Sequence, residues 1–267
     1  MKQVRSGDAE IFYDVIGTGP PVVLLHPFPV SHEFWYPAAK ALEQRYQLIV
    51  PDLRAHGDSE AGEGPATMSK YALDLARILN EEQVGRAVFV GVSIGGYALF
   101  EFWRMFRGRV AALALCNTKA QADGPEARAG RLQAAADVLE CGTEPFFAGM
   151  VAKVFGNSSR TCRPDLVEDA LRLMRKMSPE DVAQVQRGMA ERPDSSDTLQ
   201  TINVPTLIVT GDEDSMTGVA EAELMKRHIN GSQMKVIPKA GHYSPSEQPG
   251  EVGKVLRQFI DGVSNGQ

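Results

Sequence analysis

The sequence predicts an α/β fold in which a parallel sheet is covered by helices on both faces. Four short, continuous apolar runs are candidates for strands that are buried on both sides: 22–25, 48–50, 88–90 and 111–115. Helical patterns occur between or beside them, at about residues 33–44, 68–82 and 95–106. Because half-exposed strands alternate apolar and polar residues, unbroken runs separated by helices favour parallel βαβ units.

The other segments complete the order of elements. Alternation at 10–15 predicts an early, half-exposed strand. After Asn117, four helical patterns follow without a convincing buried strand: 124–140, 144–155, 164–177 and 179–191. Strands resume at 206–210 and 234–237, and an amphipathic helix is expected at about 249–260.

The alternation of strands and helices stops after the apolar run at 111–115, which indicates an insertion in the chain. With 267 residues the chain is long enough for one large α/β domain or two small ones. We expect a core in two parts, residues 1–118 and 201–267, and a helical cap inserted at 119–200.

Composition and charge narrow the classes of partner. The chain is 43% hydrophobic and 23% charged, and its net charge of −6 argues against nucleic acid or an anionic membrane as the main partner. The polar N-terminus and the lack of a long apolar run predict a cytoplasmic, non-membrane protein. We expect a monomer or small homo-oligomer that acts on a small molecule.

The cysteines do not indicate a disulfide framework or a metal site. Cys116, Cys141 and Cys162 are odd in number and lack CxxC spacing. Cys116 follows an apolar run and is predicted to be a buried thiol. We therefore expect no metal and no cofactor.

The pentapeptide Gly-Val-Ser-Ile-Gly at 91–95 is the strongest chemical signal in the chain. It follows the apolar run at 88–90 and precedes a helical pattern, which is the setting of a nucleophile elbow. In such a turn the serine side chain is held out of the backbone, and flanking glycines avoid a collision. Ser93 is therefore the predicted nucleophile.

Five histidines are candidates for the base. His242 is the best of them, because it lies on a Gly-containing loop after the strand at 234–237, at the same sheet edge as Ser93. His26 ends a strand near this edge, His56 is expected to be structural, and two others, His32 and His228, are expected in surface or capping roles.

Three carboxylates follow the strand at 206–210, and one of them can orient the base. We choose Asp214, with Asp212 as the alternative, because the first positions of the loop are expected to cap the turn or face solvent. The backbone N–H groups of Ile94, after the nucleophile, and of Phe28, between two prolines, are the candidate oxyanion donors.

These residues resemble the α/β-hydrolase superfamily over nearly the whole chain. Three further segments are similar to its small, cofactor-independent members: 26–29 (HPFP), 52–59 (DLRAHGDS) and 241–249 (GHYSPSEQP). The groups most resembled are carboxylesterases, 3-oxoadipate enol-lactonase-like enzymes and non-haem haloperoxidase-like perhydrolases. The resemblance implies an α/β-hydrolase fold with a mostly parallel, eight-stranded sheet, helices on both faces and a helical cap.

The chain departs from the superfamily pattern at three positions. Pro27 stands where the family usually has glycine, Val92 where histidine is frequent, and Ala55 where glycine is frequent. None of these changes removes a catalytic group. The serine at the elbow argues against haloalkane dehalogenases and epoxide hydrolases, which resemble this fold but use aspartate there.

The sequence therefore predicts a carboxylic ester hydrolase that cleaves a small ester or lactone through an acyl-enzyme. Phe147 and Met150 of the predicted cap, together with His26, are candidate substrate-binding residues, although core packing explains the cap residues equally well. Carbon–carbon bond hydrolysis and perhydrolysis are alternatives that use the same triad, and a non-catalytic receptor is a third.

Overall fold

A mixed β-sheet runs through the centre of the protein in the computed structural model, which describes residues 1–264. Its eight strands are β1 (Lys2–Ser6), β2 (Ala9–Ile16), β3 (Pro21–Leu25), β4 (Gln47–Pro51), β5 (Ala87–Val92), β6 (Val110–Cys116), β7 (Thr206–Gly211) and β8 (Gln233–Ile237). Their order across the sheet is β1, β2, β4, β3, β5, β6, β7, β8. β2 is antiparallel to both neighbours, and the pairs from β4 to β8 are parallel. The predicted mostly parallel, eight-stranded sheet is confirmed.

The parallel strands bring their carboxyl ends to one edge of the sheet. Every residue of β5 and of β7 is buried, which explains why both read as unbroken apolar runs. β8 closes the sheet and has exposed residues at alternate positions. The loops after β3, β5, β6, β7 and β8 therefore meet above the buried centre of the sheet.

Helices cover the sheet and form a separate group between two of its strands. The α-helices are α1 (Tyr36–Ala39), α2 (Met68–Glu81), α3 (Ile94–Phe106), α4 (Pro125–Cys141), α5 (Glu144–Val154), α6 (Asn157–Cys162), α7 (Pro164–Met174), α8 (Pro179–Ala190), α9 (Ser196–Leu199), α10 (Val219–His228), α11 (Ser244–Glu247) and α12 (Pro249–Ser264). α4 to α9 all lie between β6 and β7, where α4 packs against α8 and α5 against α7. The division into core and cap at 119–200 stays a prediction, and residues 265–267 of its second core part lie outside the described range.

One predicted helix is wrong. The pattern at 33–44 forms a 3₁₀-helix, His32–Trp35, followed by the four-residue α1. Pro37 lies in the first turn of α1, where backbone N–H groups have no intrahelical acceptor. The missing N–H of proline therefore costs no hydrogen bond, and a new helix can start at this point. Residues 40–46 then form turns that lead into β4.

Candidate active site

Ser93 lies on a strained turn between β5 and α3. Its backbone φ is 55°, a left-handed conformation that is costly for any residue with a side chain. A Cβ atom added at Gly91 would lie 2.6 Å from the carbonyl carbon of Gly95, and one added at Gly95 would lie 2.8 Å from the carbonyl oxygen of Leu25. Glycine is therefore required at both positions, as the sequence pattern predicted.

The neighbouring strand holds this turn in place. The Ser93 N–H donates to the carbonyl of Cys116 at 3.0 Å, and the Thr118 hydroxyl donates to the Ser93 carbonyl at 2.8 Å. Both partners belong to β6 or to the loop that follows it. The strain at Ser93 is thus balanced by two hydrogen bonds from the centre of the sheet.

His242 and Asp214 are in contact at the carboxyl edge of the sheet. His242 Nδ1 lies 3.0 Å from Asp214 Oδ2 and 3.2 Å from Oδ1, and both side chains are buried. Asp212, the alternative acid, instead accepts a hydrogen bond from the Ala240 amide at 3.3 Å and is exposed. The geometry brings together the chosen base and the chosen acid.

Asp214 accepts hydrogen bonds from several donors besides the histidine. Asn117 Nδ2 donates to Oδ2 at 2.9 Å, and the amides of Met216 and Thr217 donate to Oδ1 at 2.8 and 3.0 Å. The Thr217 hydroxyl donates to Oδ2 at 3.0 Å. Burial alone would raise the pKa of Asp214, but His242 and these donors hold it well below its usual range. The carboxylate therefore stays charged beside the histidine.

The second ring nitrogen of His242 is available for proton transfer. Its Nε2 atom is buried, and no group among residues 1–264 hydrogen-bonds to it, so the Ser93 hydroxyl is not bonded to it in this structure. The His242 ring and Ser93 line the same cavity. With Nδ1–H directed to Asp214, Nε2 is the nitrogen that can accept a proton from a serine or a water molecule.

The two predicted oxyanion donors lie at this edge as well. Ile94 is the first residue of α3, and the first amides of a helix have no intrahelical acceptor. The carbonyl of Pro27 accepts from His26 Nδ1 at 2.9 Å and from the Val30 amide at 3.3 Å. In a trans peptide the N–H points opposite to the carbonyl, so the Phe28 N–H is directed away from these two groups.

His26 does not lie where the prediction of a substrate-binding role requires. Both ring nitrogens bind backbone groups: Nδ1–H donates to the Pro27 carbonyl, and Nε2 accepts from the Leu53 amide at 2.9 Å. The ring is fully buried, and burial lowers the pKa of His26 to about 3. His26 therefore connects the loop at 26–29, called the oxyanion loop because it carries the candidate donor Phe28, to the turn at 52–59. It is not among the residues that line the cavity.

A cavity of about 320 Å³ opens beside Ser93 and His242. Its wall is formed by residues of the loops at the sheet edge and of α3, α4, α5 and α8: Phe28, Ser93, Tyr97, Lys119, Ala127, Gly130, Arg131, Ala134, Phe146, Met150, Lys153, Gln186, Met189, Met216, Thr217 and His242. Met150 lines the cavity, but Phe147 is fully buried behind it. The aromatic residue of α5 that lines the cavity is instead the preceding one, Phe146, whose ring centre lies 5.9 Å from that of Phe28.

The other three histidines differ in their surroundings. His32 is buried, contrary to its predicted surface or capping role, because its Nδ1 binds Asp52 Oδ1 at 2.8 Å. His228 is exposed near the end of α10, where its Nδ1 contacts the Leu224 carbonyl at 2.9 Å. His56 is buried against Phe28 and binds a backbone carbonyl, which agrees with a structural role.

Within residues 1–264, no group of three or more His, Cys, Asp or Glu side chains is arranged to hold a metal ion. The described helices also include none that is both long and apolar enough to cross a membrane. The three cysteines are free. Cys116 is buried as predicted, and burial raises the pKa of its thiol to about 12.

A comparison with protein families agrees with the fold. The model of the α/β hydrolase fold family matches residues 20–249. The chain belongs to this family. This α/β-hydrolase is 26% identical over 247 residues to 3-oxoadipate enol-lactonase 1 of Acinetobacter baylyi, an alignment that covers 91% of the chain and 90% of the relative. Over 272 residues it is 27% identical to a non-heme haloperoxidase of Rhodococcus erythropolis, with 96% and 97% covered.

A solved structure is also similar to this α/β-hydrolase. The malate-bound form of a thermophilic esterase from Thermogutta terrifontis is 37% identical, with a TM-score of 0.95. The likeness covers 98% of this chain and 99% of the esterase. The predicted resemblance to esterases, enol-lactonases and haloperoxidases is confirmed.

Sequence reasoning missed three residues that hold the site together: Asn117, Thr217 and Tyr243. Asn117 is a polar residue directly after a buried strand, which is a usable signal for the sheet edge. Thr217 follows the acid by three positions, and its hydroxyl lies 3.1 Å from His242 Nδ1. Tyr243 follows the base, and its hydroxyl donates to the Phe28 carbonyl at 3.0 Å. Nothing in the local sequence indicates the last two contacts, because both are long-range.

Proposed function

We propose that this α/β-hydrolase cleaves small carboxylic esters or lactones through an acyl-enzyme on Ser93. The observation that carries the proposal is the state of His242, whose Nδ1 binds Asp214 while its Nε2 has no partner within residues 1–264. The same ring lines the cavity that contains Ser93. An oriented base next to a serine on a strained turn provides what acyl transfer requires.

In the proposed reaction, His242 Nε2 takes the proton of the Ser93 hydroxyl while Oγ attacks the substrate carbonyl carbon. The N–H groups of Ile94 and Phe28 stabilise the oxyanion of the tetrahedral intermediate. The protonated histidine then gives its proton to the departing alcohol oxygen. A water molecule, deprotonated by the same nitrogen, attacks the acyl carbon, and His242 returns that proton to Ser93 Oγ as the bond between Oγ and the acyl carbon breaks and the acid is released. Asp214 remains a carboxylate and stabilises the histidine cation.

The relatives and the cavity support this choice of substrate. One relative is an esterase and another is an enol-lactonase, names that indicate hydrolysis of esters and of lactones. The cavity of about 320 Å³ is at the lower end of the usual range for small-molecule sites, which favours a small substrate. Its apolar wall near the oxyanion loop is formed by Phe28, Phe146 and Met150. We assign substrate contact to these three residues.

A burst assay with a p-nitrophenyl ester tests the acyl-enzyme. We expect a burst of about one p-nitrophenol per protein and labelling of Ser93 by a fluorophosphonate. Ser93→Ala should abolish both and lower kcat by about 10⁴-fold or more. Ser232→Ala, a serine in the turn before β8, is the matched control. If the purified protein hydrolyses no ester and Ser93 is not labelled, the proposal is wrong.

Perhydrolysis is a second candidate, favoured by the similarity to a non-heme haloperoxidase. In that reaction hydrogen peroxide, in place of water, attacks the acyl-enzyme and yields a peracid. The test is Ser93-dependent oxidation of bromide in the presence of acetate and hydrogen peroxide. Ester hydrolysis without any peracid would exclude it.

We further propose that the protein works in the cytoplasm. Cys141 and Cys162 are free and exposed, and a reducing compartment keeps such thiols from forming disulfides. Fractionation of the cells that produce the protein tests this.

The oligomeric state, a monomer or a small homo-oligomer, stays a prediction. Size-exclusion chromatography with light scattering measures it.

A further inference from the structure

The charge of the cavity differs in sign from that of the whole protein. The chain carries a net charge of −6. Among the described residues that line the cavity, three are cations, Lys119, Arg131 and Lys153, and none is a carboxylate. A neutral ester gains little binding energy from such a set of charges. A negatively charged substrate, in contrast, is attracted and stabilised by them.

Two of these cations belong to a cluster around one carboxylate. Asp123 binds Arg131, binds Arg192 at 2.6 Å and lies 3.8 Å from Lys119. Burial would raise the pKa of Asp123, but the hydrogen bonds from Arg192 and Arg131 lower it to about 2, so the carboxylate is charged. Asp194, whose carboxylate also interacts electrostatically with Arg192, is a second negative charge nearby. Three positive charges therefore face two negative ones, and the cluster keeps an excess of positive charge.

The excess charge lies close to the cavity wall. The Arg192 guanidinium carbon is 4.3 Å from the centre of the Tyr97 ring, and Tyr97 lines the cavity. Arg131 occupies the same face of α4 as three small residues, Ala127, Gly130 and Ala134, which leave room beside its side chain.

Lys153 is the third cation and has no carboxylate partner among residues 1–264. It shares one face of α5 with Phe146 and Met150, since the three residues are spaced by four and three positions. This face combines an apolar surface near the oxyanion loop with a free ammonium group. It suits a substrate that is apolar around the ester and charged at a distance from it.

We propose that this α/β-hydrolase prefers esters or lactones that carry a carboxylate away from the scissile bond. The inference rests on the proposed ester hydrolysis. Lys153 binds the carboxylate directly, and Lys119 and Arg131 add a positive potential that attracts it into the cavity. The carboxylate can belong to the acyl part or to the alcohol part of the substrate, and both place the same charge in the cavity.

Two matched pairs of esters distinguish these sources. Monomethyl glutarate is compared with methyl pentanoate for the acyl part, and 4-acetoxybutanoate with butyl acetate for the alcohol part, by titration of the released acid. In at least one pair, at about 20 mM salt, we expect kcat/KM of the charged ester to exceed that of the neutral ester by about tenfold or more. That preference should shrink to a few-fold at about 0.5 M salt, because salt screens partly exposed charges.

Lys153→Met tests the direct contact, because methionine keeps the length of the side chain and removes the charge. The ratio of kcat/KM for the charged and neutral esters should fall about fivefold. Lys226→Met, at an exposed lysine of α10, is the control and should leave this ratio unchanged.

The outcomes separate the two proposals. Equal rates for charged and neutral esters in both pairs, at low salt and in a Ser93-dependent reaction, would overturn the charge preference and leave ester hydrolysis standing. A preference that Lys153→Met does not reduce would overturn the assignment of Lys153. Hydrolysis of none of the four esters, without labelling of Ser93, would instead refute the proposed function.

Discussion

The side chain of Asn117 connects three loops of the candidate site, and its removal tests how firmly Asp214 and His242 are held in place. Asn117 Nδ2 donates to Asp214 Oδ2 at 2.9 Å and to the Gly241 carbonyl at 3.1 Å, and its Oδ1 accepts from the Ser244 hydroxyl. The backbone φ of Asn117 is 43°. Asn117→Gly therefore removes the three hydrogen bonds and keeps a backbone conformation that glycine adopts without strain.

The expected loss of stability follows from these three bonds. A hydrogen bond to a charged group contributes about 1.5–3 kcal/mol and one between neutral groups about 0.5–1.5 kcal/mol. Since all three are buried, Asn117→Gly should lower the free energy of unfolding by about 3–5 kcal/mol. Asn117→Ala should cost about 1 kcal/mol more, because alanine is strained at a positive φ.

The rate of catalysis should fall as well, because Asp214 and the loop of His242 lose a common hydrogen-bond partner. A misplacement of about 1 Å in catalytic groups costs about 100-fold in rate, so we expect kcat/KM to fall about 10–100-fold with Asn117→Gly. Urea unfolding and ester hydrolysis measure the two effects, with Asn230→Gly at an exposed turn as the control. Unfolding within about 1 kcal/mol of the parent protein and an unchanged kcat/KM would refute the reasoning.

Two further predictions concern the acid and the buried histidines. Asp214→Asn should lower kcat by about 10⁴-fold, because the base loses its orienting charge, whereas Asp212→Asn should stay within a few-fold of the parent protein in the same ester assay. The reverse result would make Asp212 the acid. Burial lowers the pKa values of His26 and His56 from 6.5 to about 3 and about 4, so the unfolded chain binds protons below pH 6.5 that the folded protein does not. Stability should therefore fall as the pH drops from about 6.5 to about 4, by up to about 1.4 kcal/mol per pH unit for each histidine, in urea unfolding at a series of pH values. A flat profile over this range would contradict the burial of both rings as neutral groups.

The centre of the sheet and the position of Ser93 on a sharp turn after β5 could be predicted because each depends on local pattern. Strands buried on both faces read as unbroken apolar runs, and the elbow is fixed by a serine between two glycines. The choice of Asp214 over Asp212 depended on the position within a short loop, and the structure brings Asp214 to His242. β1 was missed, because in Lys2–Ser6 only Val4 and Ser6 are buried and no apolar run results.

The remaining differences arise from contacts between distant parts of the chain. His32 was expected at the surface, but Asp52, twenty positions away, binds it in the interior. Phe146 and Phe147 are neighbours that point about 100° apart on a helix, and the sequence does not say which faces the cavity. His26 lies at the expected edge of the sheet, yet its ring nitrogens are used by the backbone of two loops. Only the folded structure decides such cases.

The hydrogen bond from the Tyr243 hydroxyl to the Phe28 carbonyl has a consequence for redesigning the enzyme. Tyr243 follows the base in sequence, and Phe28 both lines the cavity and carries a candidate oxyanion donor. The acceptor is a backbone carbonyl, so a substitution at Phe28 that leaves the backbone in place keeps this hydrogen bond, whereas one that moves the backbone also shifts the loop that carries His242. A cavity widened by trimming the Phe28 side chain is therefore compatible with an unmoved His242, as long as the backbone of the loop at 26–29 is preserved.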